Sequence, residues 1–310
     1  MSATGRHPAP LVPPATEPDP IEAGRAPGAP PAPRIDAHHH VWDLNVRDQP
    51  WTHGLAALNR TFSADDLRPA LNRHAIDATV VVQTLPTEQE TAELLALAAE
   101  DLHVKAVVGW TDLADAAVAE RLAALRDGPG GSALVGIRHA TQSETDPGWL
   151  SQPDVRRGLR AVAAAGLVYE LLVRPDQLTD AVHAVRGLPE VRFVLDHAGN
   201  PVIDADGLSA WTALMTELAA SPNVAVKLSG LVTRTIAPPL RALRPYTEVL
   251  LSVLGPHRLM YGSDWPVCLL AAPYDEVITL AEALTQDLSA HDHDAVFGDT
   301  AGHWYGIGGA

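Results

Sequence analysis

The fold is decided where the first predicted strand ends, in the stretch Ile35-Asp36-Ala37-His38-His39-His40-Val41-Trp42. Here an apolar, strand-like run leads directly into three histidines. An open, doubly wound parallel sheet often carries a glycine-rich turn at this point, and this chain has none. Closed (β/α)8 barrels instead place reactive side chains at the carboxyl ends of their strands. The stretch therefore favours a barrel, and the open sheet is the alternative architecture.

Seven more strand-like runs follow, separated by helical stretches. The eight predicted strands are short, apolar and rich in β-branched residues: Arg34–His40, Thr79–Gln83, Val104–Trp110, Leu134–His139, Val168–Val173, Val191–His197, Val224–Leu228 and Leu259–Gly262. The predicted helices between them are rich in Ala and Leu: Glu88–Glu100, Ala114–Arg126, Val155–Ala165, Leu208–Ala220, Tyr246–Leu254 and Tyr274–Thr285. Repeated βα units of this spacing predict a single α/β domain over residues 34–310, a (β/α)8 barrel.

Composition limits the partners of the protein. The formal net charge of −16 argues against nucleic-acid and anionic-membrane partners, so we expect a small-molecule substrate. Cys268 is the one cysteine, which excludes an intramolecular disulfide. No stretch has the apolar length of a membrane span or of a signal-peptide core, and we therefore expect a cytoplasmic protein. Assembly into a homo-oligomer is left open.

The first 33 residues differ in composition from the rest. They contain ten prolines, many alanines and glycines, and no apolar core segment. Such a sequence cannot bury enough apolar surface to offset the entropy of ordering it. We predict that residues 1–33 form a disordered extension and that the barrel begins at Arg34.

The three histidines are the first candidates for chemistry. Side chains alternate between the two faces of a strand, so His38 and His40 point the same way and His39 points the other way. Two imidazoles on one strand face can converge on one metal ion or one substrate oxygen. The alternative is a set of buried, hydrogen-bonded histidines, and we keep that interpretation for His39.

An aspartate follows the last predicted strand, in Met260-Tyr261-Gly262-Ser263-Asp264-Trp265-Pro266. At the carboxyl end of a barrel strand, this carboxylate would lie over the pocket. The competing interpretation is that Asp264 caps the next helix, a common position for aspartate.

Three other predicted strands carry polar groups at or near their carboxyl ends. The sixth ends in Asp196-His197-Ala198-Gly199-Asn200, and the fourth ends in Arg138 and His139, two potential cations. Lys227 lies inside the apolar seventh strand, where a lysine needs a partner or a water-filled pocket. Each has a structural explanation by itself, and their shared position at strand ends favours a common site.

These motifs resemble the amidohydrolase superfamily, and within it the amidohydrolase-related branch of sugar-lactone hydrolases. The resemblance covers essentially all of residues 34–310. It rests on the two stretches that contain His38 and Asp264, and on five others: Gln49-Pro50-Trp51, Gly136-Ile137-Arg138-His139, Asp146-Pro147-Gly148-Trp149-Leu150, Leu195-Asp196-His197-Ala198-Gly199-Asn200-Pro201 and Val226-Lys227-Leu228-Ser229-Gly230.

The resemblance implies a catalytic set of His38, His40, His197 and Asp264, with Asp264 activating water. It implies either no metal or one divalent ion, with zinc the candidate, held by the same four residues. A binuclear centre is not expected, because the fifth strand ends without a histidine and the fourth lacks a lysine suited to carbamylation. The C-terminal segment from Gly298 to Gly306 departs from the usual pattern, and we expect no chemical role for it.

The implied reaction is hydrolysis of a sugar lactone, such as L-fuconolactone or L-rhamnonolactone. Asp264 would accept the proton of water, and cations or aimed donors would stabilise the oxyanion. Candidate substrate contacts lie at or beyond strand ends: Trp51, Gln83, Trp110, Arg138, His139, Tyr169, Glu170 and Lys227. The alternatives are a decarboxylase of the same superfamily, a dicarboxylate lactonase, which would need more pocket arginines than Arg138, and an inactive barrel that binds a sugar acid.

Overall fold

The computed structural model describes residues 32–204, 207–235 and 239–307. Eight parallel strands pair in chain order: β1 (Ile35–His39), β2 (Ala78–Val82), β3 (Val104–Gly109), β4 (Leu134–His139), β5 (Val168–Leu171), β6 (Arg192–Leu195), β7 (Val224–Leu228) and β8 (Leu259–Tyr261). Beyond β8 the chain bonds back to β1. The His40 amide donates to the Trp265 carbonyl at 2.7 Å, and the Asp264 amide donates to the His38 carbonyl at 2.8 Å. The sheet therefore forms a (β/α)8 barrel, as the sequence predicts.

Helices alternate with the strands around the outside. They are α1 (Ala64–Arg73), α2 (Glu88–Glu100), α3 (Val118–Asp127), α4 (Pro153–Ala164), α5 (Leu178–Gly187), α6 (Gly207–Ala219), α7 (Pro239–Leu254), α8 (Tyr274–Leu284), α9 (Ala290–Asp294) and α10 (Thr300–Tyr305). In the described ranges, no helix combines the length and the apolar character needed to cross a bilayer.

The predicted N-terminal extension lies outside the described residues except for its last two. Ala32 is buried, and a Cβ added to Gly298 would lie only 2.0 Å from the Pro33 carbonyl oxygen. The packed part of the chain therefore begins at least two residues before Arg34.

Two apolar clusters divide the core at the strands. One fills the space between strands and helices, and includes Val107, Ile137 and Phe193. The other lies inside the barrel, where side chains such as Val80, Val108 and Val194 meet. Because side chains alternate between the two faces of a strand, successive residues belong in turn to the first cluster, called the outer cluster, and to the second, called the interior cluster.

The last helix closes the amino-terminal end of the barrel. Trp304 and Tyr305 of α10 belong to the interior cluster, so this short helix forms the floor under the strands. Arg192, the first residue of β6, places its guanidinium 4.9 Å from the centre of the Trp304 ring. In the described residues the amino-terminal end is therefore covered, and substrates approach from the carboxyl ends of the strands, which form the top of the barrel.

A β-bulge in β1 determines which way the histidines face. Asp36 pairs with Thr79 but His39 pairs with Val81, so β1 contains one residue more than β2 over this interval. Such a bulge changes which face the following side chains occupy. Ile35 and Ala37 lie in the interior cluster, and after the bulge His38 also faces the interior.

Candidate active site

His38 and His40 face each other at the top of the barrel. Their Nε2 atoms are 3.2 Å apart. His40 is oriented by its other nitrogen, Nδ1, which donates to the Val82 carbonyl at 2.7 Å and leaves Nε2 pointing at His38. His39 lies on the opposite strand face, where Nε2 contacts the Thr79 hydroxyl at 2.9 Å. The two strand faces are thus occupied as alternation predicts.

Asp264 presents its carboxylate to this pair. Its Oδ1 lies 3.5 Å from His40 Nε2 and 3.8 Å from His38 Nε2. The residue follows β8 with φ of 55°, in the left-handed region that aspartate and asparagine tolerate better than most residues. The helical turn Val267–Leu270 that follows has no side-chain cap. The structure therefore supports the pocket interpretation of Asp264 over the capping one.

His197 completes the upper part of the site. Its ring centre is 4.6 Å from that of His38, and its Nδ1 lies 2.9 Å from the Ser229 hydroxyl. His197, Ala198 and Asn200 all have φ between 52° and 53°. Such backbone is uncommon away from glycine, and it clusters at functional sites where surrounding contacts hold it in place.

A group of charged residues lies beneath His38. The Lys227 ammonium is 2.6 Å from Glu170 Oε1 and 3.3 Å from Asp196 Oδ1. It also approaches His38 Nδ1 at 3.0 Å. Arg138 Nη1 donates to Asp196 Oδ2 at 3.1 Å. Lys227 therefore has the partners that a charge inside an apolar strand requires.

Burial and charge determine how these groups ionise. Burial opposes ionisation of Asp196, but the charges of Lys227 and Arg138 outweigh it and hold the pKa of that carboxyl well below its usual range. Burial, followed by the Asp196 carboxylate, raises the pKa of Glu170. Burial, followed by the Lys227 charge, holds the pKa of His38 well below its usual value. Burial likewise lowers the pKa of His197. Both histidines are therefore neutral at neutral pH.

Exposure separates the ionisable residues of the site into two tiers. The upper tier reaches solvent narrowly and consists of His40 (5% exposed), Arg138 (4%), His197 (7%) and Asp264 (4%). The lower tier is fully buried and consists of His38, Glu170, Asp196 and Lys227. The structure therefore does not bring Lys227 and Glu170 to the pocket surface as candidate substrate contacts. Both are covered because each forms part of the ion network under His38.

Tyr169 also lies away from the pocket. Glu170 faces the barrel axis, so the preceding residue must face the helices. The Tyr169 ring accordingly packs edge-on against Phe193 in the outer cluster, with 6.2 Å between ring centres. The prediction that Tyr169 contacts substrate needs correction for this reason.

Trp110 and His139 form a different kind of group from the one predicted. The Trp110 indole donates to His139 Nδ1 at 3.1 Å, so His139 holds its proton on Nε2, which donates to Glu144 at 2.8 Å. His139 is thereby a neutral ring with both nitrogens engaged, stacked on Trp149 at 4.3 Å. It does not serve as the free second cation that the sequence suggested beside Arg138.

The remaining candidates, Gln83 and Trp51, hold other parts of the upper site. Gln83 donates its side-chain amide to the Arg138 carbonyl at 3.0 Å, and the Arg138 guanidinium donates back to the Gln83 carbonyl. Trp51 donates to the Gln49 side chain at 2.8 Å and packs edge-on against Trp42. Gln83 therefore positions Arg138, while Trp51 belongs to the loop after β1.

Three residues of the site escaped the sequence analysis. Asp196 faces the axis because Val194, two residues earlier, does so, and this alternation was a usable signal. Ser229 holds His197. Tyr305 donates its hydroxyl to Glu170 from the C-terminal helix. The C-terminal segment thus contributes a structural contact beneath the site, and no local pattern linked Tyr305 to residues so distant in sequence.

Two groups of described residues bring metal-ligating atoms together: His38 with Asp196 and His197, and His38 with His40 and Asp264. Arg138 and Lys227 already neutralise Asp196, which disfavours a further cation in the first group. In the second group, the 3.2 Å between the histidine nitrogens is close to the roughly 3.3 Å expected for two nitrogens on a tetrahedral zinc. His38, His40 and Asp264 therefore fit a single divalent ion.

Comparisons with known proteins agree with this geometry. A family model described as Amidohydrolase matches residues 35–307. The chain is 40% identical over 289 residues to an L-fucono-1,5-lactonase of Burkholderia multivorans, covering 88% of this chain and 96% of that protein. It is 37% identical over 280 residues to an L-fucono-1,5-lactonase of Burkholderia ambifaria, with the same shares covered.

A solved structure leads to the same family. It is an amidohydrolase from Burkholderia multivorans with bound zinc, and it superposes with a TM-score of 0.84 at 40% identity. The alignment covers 89% of this chain and 99% of that one. Since the family model and the relatives span most of the barrel, the chain belongs to the amidohydrolase family.

Proposed function

We propose that the protein hydrolyses the ring ester of sugar lactones, with L-fucono-1,5-lactone the first substrate to test. The observation that carries the proposal is the Asp264 carboxylate, which faces two histidines at the top of the barrel. The same barrel is 40% identical over nearly its full length to an L-fucono-1,5-lactonase. Asp264 is mostly covered but still reaches solvent, so its carboxylate is accessible to a water molecule and a small substrate.

Asp264 acts as the general base in this proposal. Its carboxylate accepts a proton from the attacking water as the water oxygen adds to the lactone carbonyl carbon. The same carboxyl then returns the proton to the ring oxygen when the carbon–oxygen bond breaks. The product is an open-chain sugar acid with a free hydroxyl, so the proton balance closes on one residue.

Arg138 is the leading stabiliser of the oxyanion. Its guanidinium is fixed by Asp196 and by the Gln83 carbonyl, and it lies 3.4 Å from His38 Nε2. A cation that is oriented before the reaction stabilises developing negative charge without reorganising during the step. His197, held by Ser229, lines the other side and can donate to the substrate through Nε2.

A divalent ion fits beside these groups. His38, His40 and Asp264 would hold it, and when bound it would polarise the lactone carbonyl as a Lewis acid. The bound zinc in the Burkholderia multivorans amidohydrolase supports zinc as the candidate. His40 is prepared for that role because its Nδ1 already donates to the Val82 carbonyl, the kind of outer contact that orients a ligating imidazole.

The sugar hydroxyls need polar and aromatic partners. The Trp110, His139 and Trp149 rings form a contiguous group beyond β3 and β4, with Glu144 beside them. Flat aromatic surfaces with a polar edge suit the mixed apolar and hydroxylated faces of a sugar ring. We propose this group as the part of the pocket that selects among lactones.

The test is a panel of aldonolactones of five- and six-membered ring size, followed with a pH indicator. Release of one proton per lactone opened, lost in Asp264→Asn, is the expected result. A panel of carboxylated aromatic substrates, assayed for CO2 release, tests the decarboxylase alternative. Lactone binding by calorimetry without turnover would instead indicate a binding protein and would overturn the proposal.

A further inference from the structure

His38 has two different neighbours at one nitrogen. Its Nδ1 lies 3.0 Å from the Lys227 ammonium and 3.4 Å from Asp196 Oδ1. The ammonium can only donate a hydrogen bond, whereas the carboxylate can only accept one. A neutral imidazole has one N–H, so the choice of partner at Nδ1 decides whether Nε2 carries a proton.

The shorter contact favours Lys227 as the partner. If Lys227 donates to Nδ1, the proton of His38 lies on Nε2, which faces His40 Nε2 at 3.2 Å. His40 donates Nδ1–H to the Val82 carbonyl, and in the tautomer with that one N–H its Nε2 has the lone pair that accepts from His38. A continuous chain of donors then runs from Lys227 through His38 and His40 to Val82, and every member has a partner.

The other arrangement is the one that suits a metal. If His38 Nδ1–H donates to Asp196, then Nε2 is bare, as ligation requires. The ring is neutral in both arrangements, and one proton is removed from Nε2 while one is added at Nδ1. Arg138 Nη1, which can only donate, approaches the bare Nε2 of this arrangement at 3.4 Å, a longer contact than the 3.0 Å between Lys227 and Nδ1.

Lys227 is held in the position that selects between these arrangements. Glu170 accepts its hydrogen bond at 2.6 Å, and Tyr305 donates to the same Glu170 oxygen from the barrel floor. All three side chains are buried, so water does not compete for the ammonium. Metal ligands usually have an acceptor behind them, and here a fixed donor lies behind His38.

We propose that Lys227 is a positioning residue that fixes the Nε2–H tautomer of His38 and so lowers the affinity of the site for a divalent ion. The His38–His40 hydrogen bond keeps the two ligands paired with each other until a metal displaces it. This inference concerns metal affinity, and it stands whether or not the substrate is a lactone.

The first test uses the double variant Glu170→Gln, Lys227→Met. It removes one positive and one negative charge together, leaves an acceptor for Tyr305, and leaves Asp196 paired with Arg138. Replacing a buried ion pair by neutral groups of similar volume is often tolerated. Zn²⁺ affinity, measured by competition with a chromophoric chelator, should rise about 10-fold or more, the scale of outer-contact effects on metal sites.

The control is Lys105→Met, since the chain has two lysines and Lys105 is exposed on β3. It should leave Zn²⁺ affinity unchanged. A merely structural role for Lys227 would loosen the site and weaken zinc binding in the double variant. Unchanged or weaker binding there would therefore overturn the proposal.

A second measurement needs no variant of the network. Nitrogen-15 NMR of the metal-free, histidine-labelled protein distinguishes Nε2–H from Nδ1–H imidazoles, and His38→Asn assigns the signal. We expect the Nε2–H form in the wild-type protein. An Nδ1–H signal for His38 would overturn the proposal even if the double variant fails to fold.

Discussion

Asp264 combines a carboxylate over the site with a left-handed backbone. Asparagine has the same shape and tolerates the same φ, but it cannot accept the proton of water. We expect Asp264→Asn to fold with a thermal midpoint close to that of the wild type, while lactone turnover falls about 10²- to 10⁴-fold. Steady-state kinetics beside a melting curve will check both statements. A variant with near wild-type turnover would remove Asp264 from the mechanism.

The three consecutive histidines should respond differently to the same substitution. His38→Asn and His40→Asn remove groups that face Asp264, and the rate should fall by about two orders of magnitude or more. His39→Asn removes a buried ring that contacts Thr79 on the far side of the strand, so it should lower the thermal midpoint and leave the rate largely intact. Equal rate losses at all three positions would contradict the facing of β1.

Asp36 links pH to stability. It is fully buried, and burial raises its pKa to about 6, although amide donors from Ser263 and His38 pull the other way. The folded state thus binds this proton more tightly than the unfolded state, whose pKa is near 3.8. The resulting stabilisation is full below pH 3.8 and is lost as pH rises through about 6.

Asp36→Asn cannot ionise and should avoid that loss. Between pH 4 and pH 8 its thermal midpoint should rise relative to wild type, by an amount equivalent to at most about 3 kcal/mol. Melting curves of both proteins at matched pH values give the difference between their thermal midpoints. The contributions of the other titrating groups cancel in that difference. A difference that does not change with pH would show that Asp36 is ionised throughout this range.

At the scale of elements, the loop after β7 holds the upper tier in place. Gly230 has φ of 65°, and an added Cβ would lie 2.5 Å from His197 Nδ1 and 3.1 Å from Asp264 Oδ2. We expect Gly230→Ala to displace His197 and to reduce turnover by about 10²-fold, the scale of a misplaced catalytic group.

Gly166→Ala is the matched control. Gly166 has φ of 71°, and an added Cβ would have no atom within 4 Å. Both variants carry the left-handed backbone penalty of about 1–2 kcal/mol, but only Gly230→Ala adds a collision with the site. Comparing thermal midpoints and rates separates the two effects. Similar turnover in both variants would mean that His197 adjusts without consequence.

The eight strands could be predicted from sequence because each is a short apolar run between polar turns. Helices were harder to predict where a proline lies inside them. The helix α7 begins at Pro239, seven residues before the predicted start, because Pro245 lies within the helix and reads as a first-turn residue. The helix α1 contains Pro69 and few apolar residues, and no pattern marked it.

The site could be predicted where its residues lie at strand ends. His38, His40, His197 and Asp264 come together because parallel strands deliver their carboxyl ends to one place. The sequence could not show how far below the pocket surface each polar side chain lies. Lys227 and Glu170 lie beneath the pocket because they bind each other, and Tyr305 reaches Glu170 only because α10 folds under the barrel.

At the scale of the whole molecule, the N-terminal extension remains a prediction from composition. Deleting residues 1–31, while retaining Ala32 and Pro33 against Gly298, should leave the thermal midpoint and the hydrolysis rate nearly unchanged. A deletion that also removes Ala32 and Pro33 should be less stable, because it takes away packed residues. A large loss of stability with the shorter deletion would show that the extension packs on the barrel.

The floor formed by Trp304 and Tyr305 closes the amino-terminal end of the barrel, so the site opens at the top. Lactone and product therefore enter and leave at the top, where both would contact the same upper-tier residues. A sugar acid that lingers after ring opening therefore blocks the next lactone instead of waiting beside it. The enzyme should show competitive inhibition by its own product, with the apparent KM rising as the acid accumulates and kcat unaffected.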